Sequence, residues 1–408
     1  MTSLEVENLS SFHSRARIWI EHNLPRSDDS AGIDDKALQN LIFDAGFAGI
    51  AYPVRYGGAG LTFEHQKAFF AEAKGHRVPM GFGVSIGMLG PTLLDFGSDA
   101  LKDFHLPRIL RGDELWIQLL SEPTGGSDMA GALTRLTHDG DTYVLNGSKM
   151  WSSGALYSDF GMCLARTDWD APKHRGLSMI AVPLQGTPGV QIDAIRSVTG
   201  LPGEFCIEFF DDVTLPAENL IGRENEGWTV AQRLLFHERN AGNNIEHGVG
   251  LFGISGEAPG VTVDEIAEGI RQRGMSADPA LNQRVIEAYI EATVSRHAGE
   301  RVMNGLRSGA LKGQWASLLK LHLGVNSNRA AKAALATWAA DGVIWDGDEK
   351  TTGNAGEMFL RSRGFSIAGG TNEIQRNIVA ERLMGLPREP SFDVDLPFNE
   401  VLRKRKSF

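Results

Sequence analysis

Hydrophobic and polar residues follow two different periods along this chain, and the period changes twice. Up to about residue 115 the apolar residues recur every three or four positions, which is typical of amphipathic helices. One such helix is predicted after Asp34, with the apolar set Leu38, Leu41 and Ile42, and Gly46 ends it. Short apolar runs between Gly, Pro, Asn and Asp then predict β-strands. From about residue 226, long segments rich in Ala, Leu and Arg predict helices again.

The individual strands and helices can be placed on the sequence. Thr142–Leu145 is predicted as a hairpin strand between two turns, Asp139–Asp141 and Asn146–Gly147. Two further strands are predicted from short apolar runs between Gly and Pro, at Leu177–Pro183 and Glu204–Phe210. Three long helices rich in Ala, Leu and Arg are predicted at Trp228–Arg239, Pro279–Arg307 and Leu311–Ala340. Gly253–Gly260 and Trp345–Gly356 are predicted as Gly-rich loops. Because the blocks are segregated, the fold class is α+β, with predicted domains at 1–115, 116–225 and 226–408.

The composition excludes several classes of protein. The chain has 408 residues and a formal net charge of −11, which argues against a general nucleic-acid binder, because such a protein needs a basic surface. No run of eighteen apolar residues occurs, so no membrane span is expected, and the first residues lack a signal peptide's apolar segment. Two cysteines predict no disulfide framework and favour the cytoplasm. The histidine spacings predict no metal site.

Two short motifs have the letters of an active site without its context. Gly83–Gly87 reads G-x-S-x-G, but no predicted strand precedes it, so a hydrolase nucleophile is not expected at Ser85. Gly248–Gly253 reads G-x-G-x-x-G, but it follows a predicted helix, so a dinucleotide-binding turn is not expected either.

Two polar, glycine-containing segments carry the candidate chemistry. Gln118–Asp128 offers hydroxyls and backbone amides on a loop where Gly permits close approach, which suits a polar planar ring or a pyrophosphate. Asn146–Gly154 places Trp151 beside hydroxyls, which suits an aromatic cofactor. Taken alone, the composition of the first segment favours a solvated turn after an apolar strand, and Trp151 is equally a core residue at a strand end.

Together these segments resemble the flavin-binding signature of acyl-CoA dehydrogenases. Further matching motifs lie at the family's spacing over nearly the whole chain: Tyr52–Pro53, Tyr56–Gly60, Phe209–Val213, Pro216–Gly222, Asn225–Trp228 and Gly369–Arg376. The resemblance implies an N-terminal helical domain, a middle β-barrel-like domain and a C-terminal four-helix bundle. It also implies α,β-dehydrogenation of an acyl-CoA thioester, with FAD as the hydride acceptor and an electron-transfer flavoprotein as the next acceptor.

The resemblance assigns roles to individual residues. Those implied to contact the flavin are Leu120, Ser121, Gly126, Ser127, Trp151, Ser153, Thr371 and Glu373. Those implied to contact the substrate are Ser127, Arg239 and Gly369. The backbone N–H of Gly369 would donate to the thioester carbonyl, since such a donor needs no side chain.

The catalytic base departs from the commonest family pattern. Most members carry it just before the Gly-Thr of the last motif, where this chain has Gly369. A minority, resembling isovaleryl-type enzymes, carry it early in the C-terminal domain, and Glu238 falls on that position. The resemblance therefore makes Glu238 the expected base; without it, Glu238 reads as a surface carboxylate paired with Arg233 or Arg239.

Two segments that normally hold a neighbouring subunit's FAD are also missing. Gly253–Gly260 and Asp346–Lys350 stand in their places, which resembles bacterial two-chain dehydrogenases, several of which act on steroid side-chain thioesters. The expected assembly is a tetramer, either of this chain alone or with a second homologous chain. Two alternatives stay open: a non-catalytic partner of another subunit, and a flavin oxidase or monooxygenase on the same fold.

Overall fold

The structure, a computed structural model, describes residues 7–27, 34–79, 81–199, 205–243, 263–274, 278–339, 341–343, 353–391 and 393–405. The chain forms two compact units. The first unit comprises residues 1–195, 202–251 and 391–408, and the second comprises residues 196–201 and 252–390. Each unit is described by itself.

Helices occupy both ends of the described chain. In order they are α1 Leu9–Asn23, α2 Asp35–Asp44, α3 Phe63–Glu72, α4 Gly90–Phe96, α5 Asp99–Arg111, α6 Gly227–Asn243, α7 Val263–Gln272, α8 Pro279–Arg307, α9 Ala316–Trp338, α10 Gly353–Arg361, α11 Asn372–Ile378 and α12 Phe398–Arg405. As predicted, α2 follows Asp34, whose carboxylate accepts hydrogen bonds from the backbone N–H groups of Lys36 and Ala37. Its end is at Gly46, which has a positive φ.

Eight strands form the middle of the chain. They are β1 Trp116–Leu119, β2 Arg135–Asp139, β3 Thr142–Ser152, β4 Phe160–Arg166, β5 Leu177–Pro183, β6 Val190–Ile195, β7 Phe205–Pro216 and β8 Leu220–Ile221. Their order in the sheet is β6-β7-β3-β2-β4-β5-β8, and β1 pairs with β4 in parallel. Since β4 is buried along nearly its whole length, the sheet contributes to cores on both of its faces.

One predicted turn is wrong. The strand that begins at Thr142 does not end at Asn146–Gly147 but continues to Ser152, with register shifts at Leu145/Gly147 and Met150/Ser152. Asn146 pairs with Arg135 of β2 and Gly147 pairs with Phe210 of β7, so tertiary pairing carries the strand through the Asn-Gly pair and overrides the local turn preference. The hairpin turn at the other end, between β2 and β3, is as predicted.

Helix α6 begins directly against the sheet. A Cβ at Gly227 would lie 2.4 Å from the backbone carbonyl carbon of Ser178 in β5, so only glycine permits this approach. The buried residues Val230, Ala231 and Leu234 then join a hydrophobic core shared with β4, β5 and α4. This packing fixes the side of the sheet on which the rest of α6 lies.

The second unit is helical in its described part. Helices α8, α10 and α11 each contact α9, and Ala288, Ala333, Ala334 and Ala355 are buried among them, which allows the helices to approach closely. Helix α9 begins at Ala316, after a 3₁₀ turn at Gly313–Trp315, and so is shorter at both ends than predicted.

The Gly-rich loop predictions in this region have mixed outcomes. The loop predicted at Trp345–Gly356 is wrong from Gly353, where α10 begins; residues 344–352 lie outside the described residues. The loop at Gly253–Gly260 and the motif at Gly248–Gly253 also lie outside them.

The predicted order of helical, β and helical segments in an α+β fold is confirmed. The division at 1–115, 116–225 and 226–408 stays a prediction. Within the described residues, no helix has the length and hydropathy needed to cross a bilayer.

Candidate functional site

The first candidate segment, Gln118–Asp128, begins within β1, and β1 is hydrogen-bonded to a neighbouring helical turn. At its start, the Ser85 hydroxyl donates to the Trp116 carbonyl at 3.1 Å and accepts from the Trp116 N–H at 2.7 Å. Ser85 lies in a π-helical turn, Ser85–Leu89, and is 1% exposed. Its hydroxyl is thus committed to the backbone of β1, which leaves the nucleophile hypothesis without support.

The second candidate segment lies beside the first. The backbone N–H of Met150 donates to the Ser121 carbonyl at 2.9 Å, which brings the loop after β1 against the end of β3. Leu120 is buried in the core, whereas Ser153 is exposed. Four of the predicted flavin contacts, Leu120, Ser121, Trp151 and Ser153, therefore lie on two adjoining stretches of backbone.

A buried ion pair joins the same two segments from below. Lys149 is fully buried, and its ammonium donates to Glu122 Oε1 at 2.9 Å and to the Leu120 carbonyl at 3.2 Å. The Glu122 carboxylate also accepts the backbone N–H groups of Leu133 and Thr134 at 2.7 and 2.9 Å. Burial alone would raise the pKa of Glu122, but Lys149 and these hydrogen bonds outweigh it and lower the pKa. The Glu122 carboxylate is therefore ionised at neutral pH.

Trp151 occupies an unusual backbone position. It sits in the bulge between Met150 and Ser152 with φ at 71°, which is rare for a residue with a bulky side chain. The indole is 54% exposed, and its ring meets Phe205 edge-on at 6.0 Å. The alternative of a core Trp is therefore wrong, because the ring projects from the sheet beside the first segment.

The glycine-containing turn of the first segment is open to solvent. Gly126 and Ser127 are exposed, and a Cβ at Gly126 would lie 3.5 Å from the Ser121 hydroxyl, so the two positions are neighbours. Asp128 closes the turn through an ion pair with Lys173 at 2.6 Å. The exposed turn therefore lies directly beside the Ser121 hydroxyl.

This donor set fits the flavin that the resemblance implies. An isoalloxazine needs an aromatic or apolar surface along the ring and hydrogen-bond donors at its polar edge, and a pyrophosphate needs hydroxyl and amide donors. Trp151 would supply the aromatic surface along the ring, Ser121 and Ser153 would supply donors at its polar edge, and Ser127 with the Gly126 turn would supply donors to the pyrophosphate. The residues of this chain's first unit are thus suitable to hold the ring half of FAD.

Glu238 lies on α6, two helical turns after the fully buried Ala231 and on the same face of the helix. It is 9% exposed, which disfavours the interpretation as a surface carboxylate. Arg233, one of the two partners suggested for it by sequence, instead pairs with Asp95 at 2.6 Å. The side chain of Arg239 lies outside the described residues.

Asp95 of α4 fixes the turn of α6 that precedes Glu238. Its carboxylate accepts from Arg233 Nε and, at 2.9 Å, from His237 Nε2. Burial alone would raise the pKa of Asp95, but these two hydrogen bonds outweigh it and lower the pKa. Burial lowers the pKa of His237, with Asp95 acting in the opposite direction.

The remaining predicted residues lie in the second unit. Gly369 has φ at 66°, a left-handed conformation that favours glycine, and its carbonyl accepts from Gln375 Nε2 at 3.0 Å. Thr371 caps α11 by accepting the Ile374 N–H at 3.2 Å, so its hydroxyl already has a structural role. Glu373 is exposed and pairs with Arg376 at 3.3 Å.

Sequence reasoning missed the support that the C-terminal helix gives to the first segment. The buried guanidinium of Arg166 donates to the carbonyls of Ala130 and Lys173 at 2.6 and 2.9 Å, and the ring of Phe398 lies 3.9 Å from its Cζ. Leu402 of α12 lines a cavity of about 60 Å³ against the turn at Glu122–Asp128. No local pattern signals this, because Arg166 and Phe398 lie far apart in the chain.

We expect Phe398→Leu to lower the free energy of unfolding by about 1–2 kcal/mol, since it removes the aromatic face from a buried guanidinium. Urea unfolding at neutral pH measures this. The matched control is Phe104→Leu, whose ring lies 3.8 Å from Arg108 Cζ but is exposed, so its loss is expected to cost less than about 0.5 kcal/mol. Equal effects of the two substitutions would contradict the supporting role of Phe398.

No group of three or more His, Cys, Asp or Glu side chains in the described part of the chain has the arrangement of a metal site.

Family models and known proteins match this chain over most of its length. The N-terminal, middle and C-terminal domains of acyl-CoA dehydrogenase match residues 8–113, 118–213 and 225–384. "Acyl-CoA dehydrogenase IpdE1" of Mycobacterium tuberculosis is 33% identical, covering 94% of this chain and 99% of that protein. "Acyl-CoA dehydrogenase FadE26" of the same organism is 29% identical, covering 84% and 86%.

Solved structures show the same fold. The "Tcur3481-Tcur3483 steroid ACAD" has a TM-score of 0.74 at 25% identity, with 93% of this chain and 98% of that chain covered. The ChsE4-ChsE5 complex from Mycobacterium tuberculosis has a TM-score of 0.68 at 23% identity, with 95% and 100% covered. Since the three domain matches together span most of the chain, and one relative is 33% identical over nearly its full length, the chain is an enzyme that belongs to the acyl-CoA dehydrogenase family.

Proposed function

We propose that this chain is an FAD-dependent acyl-CoA dehydrogenase in which Glu238 removes the α-proton of the thioester. The observation that carries the proposal is the buried carboxylate of Glu238, on the face of α6 that continues from the core. Gly369 stands where most family members place a base, so a buried carboxylate elsewhere is required for the same chemistry.

The proposed reaction needs a base in a dry environment. Burial disfavours the charged carboxylate and so brings its basicity closer to that of an activated thioester α-carbon. In the proposed step, a Glu238 carboxylate oxygen takes the α-proton while the β-hydrogen leaves with its electron pair. FAD, when bound, supplies the acceptor for that pair.

The other residues would orient the reactants. The Gly369 backbone N–H would donate to the thioester carbonyl, where negative charge develops. Trp151 would exclude water from one edge of the ring, and Ser121 and Ser153 would hold its polar edge. Ser127 and Arg239 would bind the polar part of the CoA thioester, with Ser127 also near the flavin.

We further propose a bulky or branched acyl group as the substrate. Glycine at position 369 leaves unfilled the volume that a carboxylate side chain would occupy there. One similar structure carries the description "steroid ACAD", in agreement with this proposal. A panel of acyl-CoAs, from short straight chains to steroid side-chain thioesters, tests it, and the highest kcat/KM is expected at the bulky end. A clear preference for short straight chains would contradict it.

An electron-transfer flavoprotein is the proposed acceptor, as opposed to O₂. Photoreduced enzyme mixed with oxygenated buffer and with an electron-transfer flavoprotein separates the two. Fast reoxidation by O₂ alone, coupled to turnover, would support the oxidase alternative instead.

The proposed assembly is a tetramer that includes a second homologous chain. Two similar structures are two-chain complexes. Helix α8 carries an apolar stripe, Ile286, Tyr289, Ile290 and Val294, with every side chain at least half exposed in the single chain. A stripe at this helical spacing suits packing against another subunit.

We expect this chain expressed alone to bind well under one FAD per chain, because the segments that usually serve a neighbour's adenosine half are replaced. Co-expression with a homologous chain that retains those segments should give a mixed tetramer with fewer flavins than chains. Flavin absorbance per protein, measured beside native mass, tests both statements. One tightly bound FAD per chain in a homotetramer would contradict the requirement for a partner. Flavin binding without turnover of any acyl-CoA, alone or with the partner, would support the non-catalytic alternative.

A further inference from the structure

A fully buried carboxyl group lies beneath the Trp151 bulge. Glu208 is on β7 and is 0% exposed. Its Oε1 accepts a short hydrogen bond from the Ser152 hydroxyl, whereas its Oε2 has no hydrogen-bond partner among the residues that the structure describes. Such a half-satisfied carboxyl in a protein core is costly, so its presence needs an explanation.

The nearest cation does not account for Glu208. Lys149 is its register partner across β3 and β7, but the Lys149 ammonium donates to Glu122 and to the Leu120 carbonyl. Burial raises the pKa of Glu208 to about 7, while the Ser152 hydrogen bond acts in the opposite direction. Glu208 therefore does not belong to the Lys149–Glu122 ion pair. Among the described residues, its hydrogen-bond partner is Ser152.

Ser152 is the residue through which Glu208 reaches the site. It lies between Trp151, which has the left-handed backbone, and the exposed Ser153. The register shift at Met150/Ser152 means that strand pairing is interrupted here, so backbone hydrogen bonds hold Trp151 less firmly than its neighbours. The Ser152–Glu208 bond therefore ties the residue that follows Trp151 to a buried side chain of β7.

We propose that Glu208 is a positioning residue for the flavin: through Ser152 it fixes the direction of the Trp151 ring and of the Ser153 hydroxyl. This inference rests on the proposed function, in which Trp151 and Ser153 flank the isoalloxazine ring. Without the Ser152–Glu208 hydrogen bond, the bulge is free to relax from the strained φ of Trp151. The isoalloxazine ring then loses the indole that covers it and the Ser153 hydroxyl as a hydrogen-bond donor.

The test compares flavin affinity with the stability of the flavin-free protein. Glu208→Leu removes the acceptor and Ser152→Ala removes the donor, and each is expected to raise the FAD dissociation constant about tenfold, the effect of one strong hydrogen bond. Because both substitutions remove the same hydrogen bond, the FAD dissociation constant of the double variant should be no higher than that of either single variant. The Tm of flavin-free Glu208→Leu is expected to be unchanged or higher, because a costly buried carboxyl is gone.

Glu208→Gln is the rescue variant, since it keeps an oxygen acceptor for Ser152 in the same shape. It should bind FAD within about twofold of the wild type. Asp211→Asn, an exposed change three residues along the same strand, is the matched control and should behave as the wild type.

A pH titration of bound flavin supplies an independent readout. The titratable groups around Glu208 are Lys149, Glu122, Cys163 and Cys206. The pKa of Glu122 is lowered and burial raises that of Cys163 to about 12, so Glu208 is the acid of this cluster expected to ionise near neutrality. The wild type should show a shift of the visible flavin band with a midpoint near pH 7, which Glu208→Gln lacks and Asp211→Asn keeps.

The outcomes separate this inference from the proposed function. A wild-type protein that binds no FAD, alone or with its partner chain, overturns both. A wild type that binds FAD, with Ser152→Ala and Glu208→Leu within twofold of it, overturns the positioning role alone. A Glu208→Leu protein that fails to fold leaves the decision to Ser152→Ala, whose loss of one hydroxyl preserves the strand.

Discussion

Replacing Glu238 by Gln should lower kcat for acyl-CoA dehydrogenation by about 10²–10⁴-fold and leave flavin binding intact. The substitution keeps the volume and the helix but removes the oxygen that accepts the α-proton, and a positioned general base contributes an effect of this size. Steady-state turnover with a good substrate, beside the flavin-to-protein ratio of the same preparation, measures both quantities. KM should change far less than kcat, because the proton moves only in the transition state.

A matched carboxylate tests whether the effect is specific. Glu226 is exposed and immediately precedes the same helix, so Glu226→Gln should retain activity within about twofold. Activity of Glu238→Gln within a factor of a few of the wild type would rule out Glu238 as the base. That result would favour the alternative that this chain is a non-catalytic partner of another subunit.

Replacing Lys149 by Met should lower the free energy of unfolding by about 3–5 kcal/mol. The substitution leaves the Glu122 carboxylate buried and without its cation, and uncompensated buried charges have effects of this size. Urea unfolding followed by circular dichroism measures it. The double variant Lys149→Met with Glu122→Gln should recover part of the loss, because it leaves no buried carboxylate at position 122 without its cation.

An exposed ion pair provides the comparison. Lys67 and Glu64 pair at 2.8 Å on the surface of α3, and Lys67→Met should cost less than about 1 kcal/mol, because solvent already screens that pair. Equal losses at the two lysines would contradict the buried pair's structural role.

The pH dependence of stability tests the Lys149–Glu122 pair, because the pKa shift of Glu122 determines the direction of the change. The pKa of Glu122 is lower in the folded than in the unfolded protein, so its contribution to stability is complete above the ordinary glutamate pKa of 4.5. It is lost as the pH falls below that value through the folded pKa. The difference in stability between the wild type and Glu122→Gln should therefore shrink on acidification from pH 6 to pH 3.

The sequence predicts those features of the fold that local patterns determine. The strand Leu177–Pro183 and the helix Pro279–Arg307 are found with the predicted bounds, because a continuous apolar run and a proline-started helical pattern each have clear ends. Asn146–Gly147 misleads because a strand paired on both sides tolerates a turn-forming dipeptide.

The buried charges could not be predicted in the same way. Lys149 and Glu122 lie 27 residues apart, and lysine is ordinarily a surface residue, so neither the pairing nor the burial has a local signal. The same holds for Glu208, whose place beneath Trp151 follows only from the register of β3 against β7. The roles of Trp151 and Glu238 came from the resemblance, and the geometry adds why each residue is held where it is.

The stack of Phe398 on Arg166 has a consequence for the order in which the protein matures during synthesis. The ribosome adds Phe398 more than 230 residues after Arg166, so the sheet and both polar segments emerge well before the helix that supports them. A nascent chain therefore carries the turn proposed to face the flavin without its final support until residues 398–405 have left the exit tunnel. We expect cofactor capture to follow the emergence of α12 from the ribosome, and a bulky domain fused directly after α12 to slow that capture more than one fused before α1.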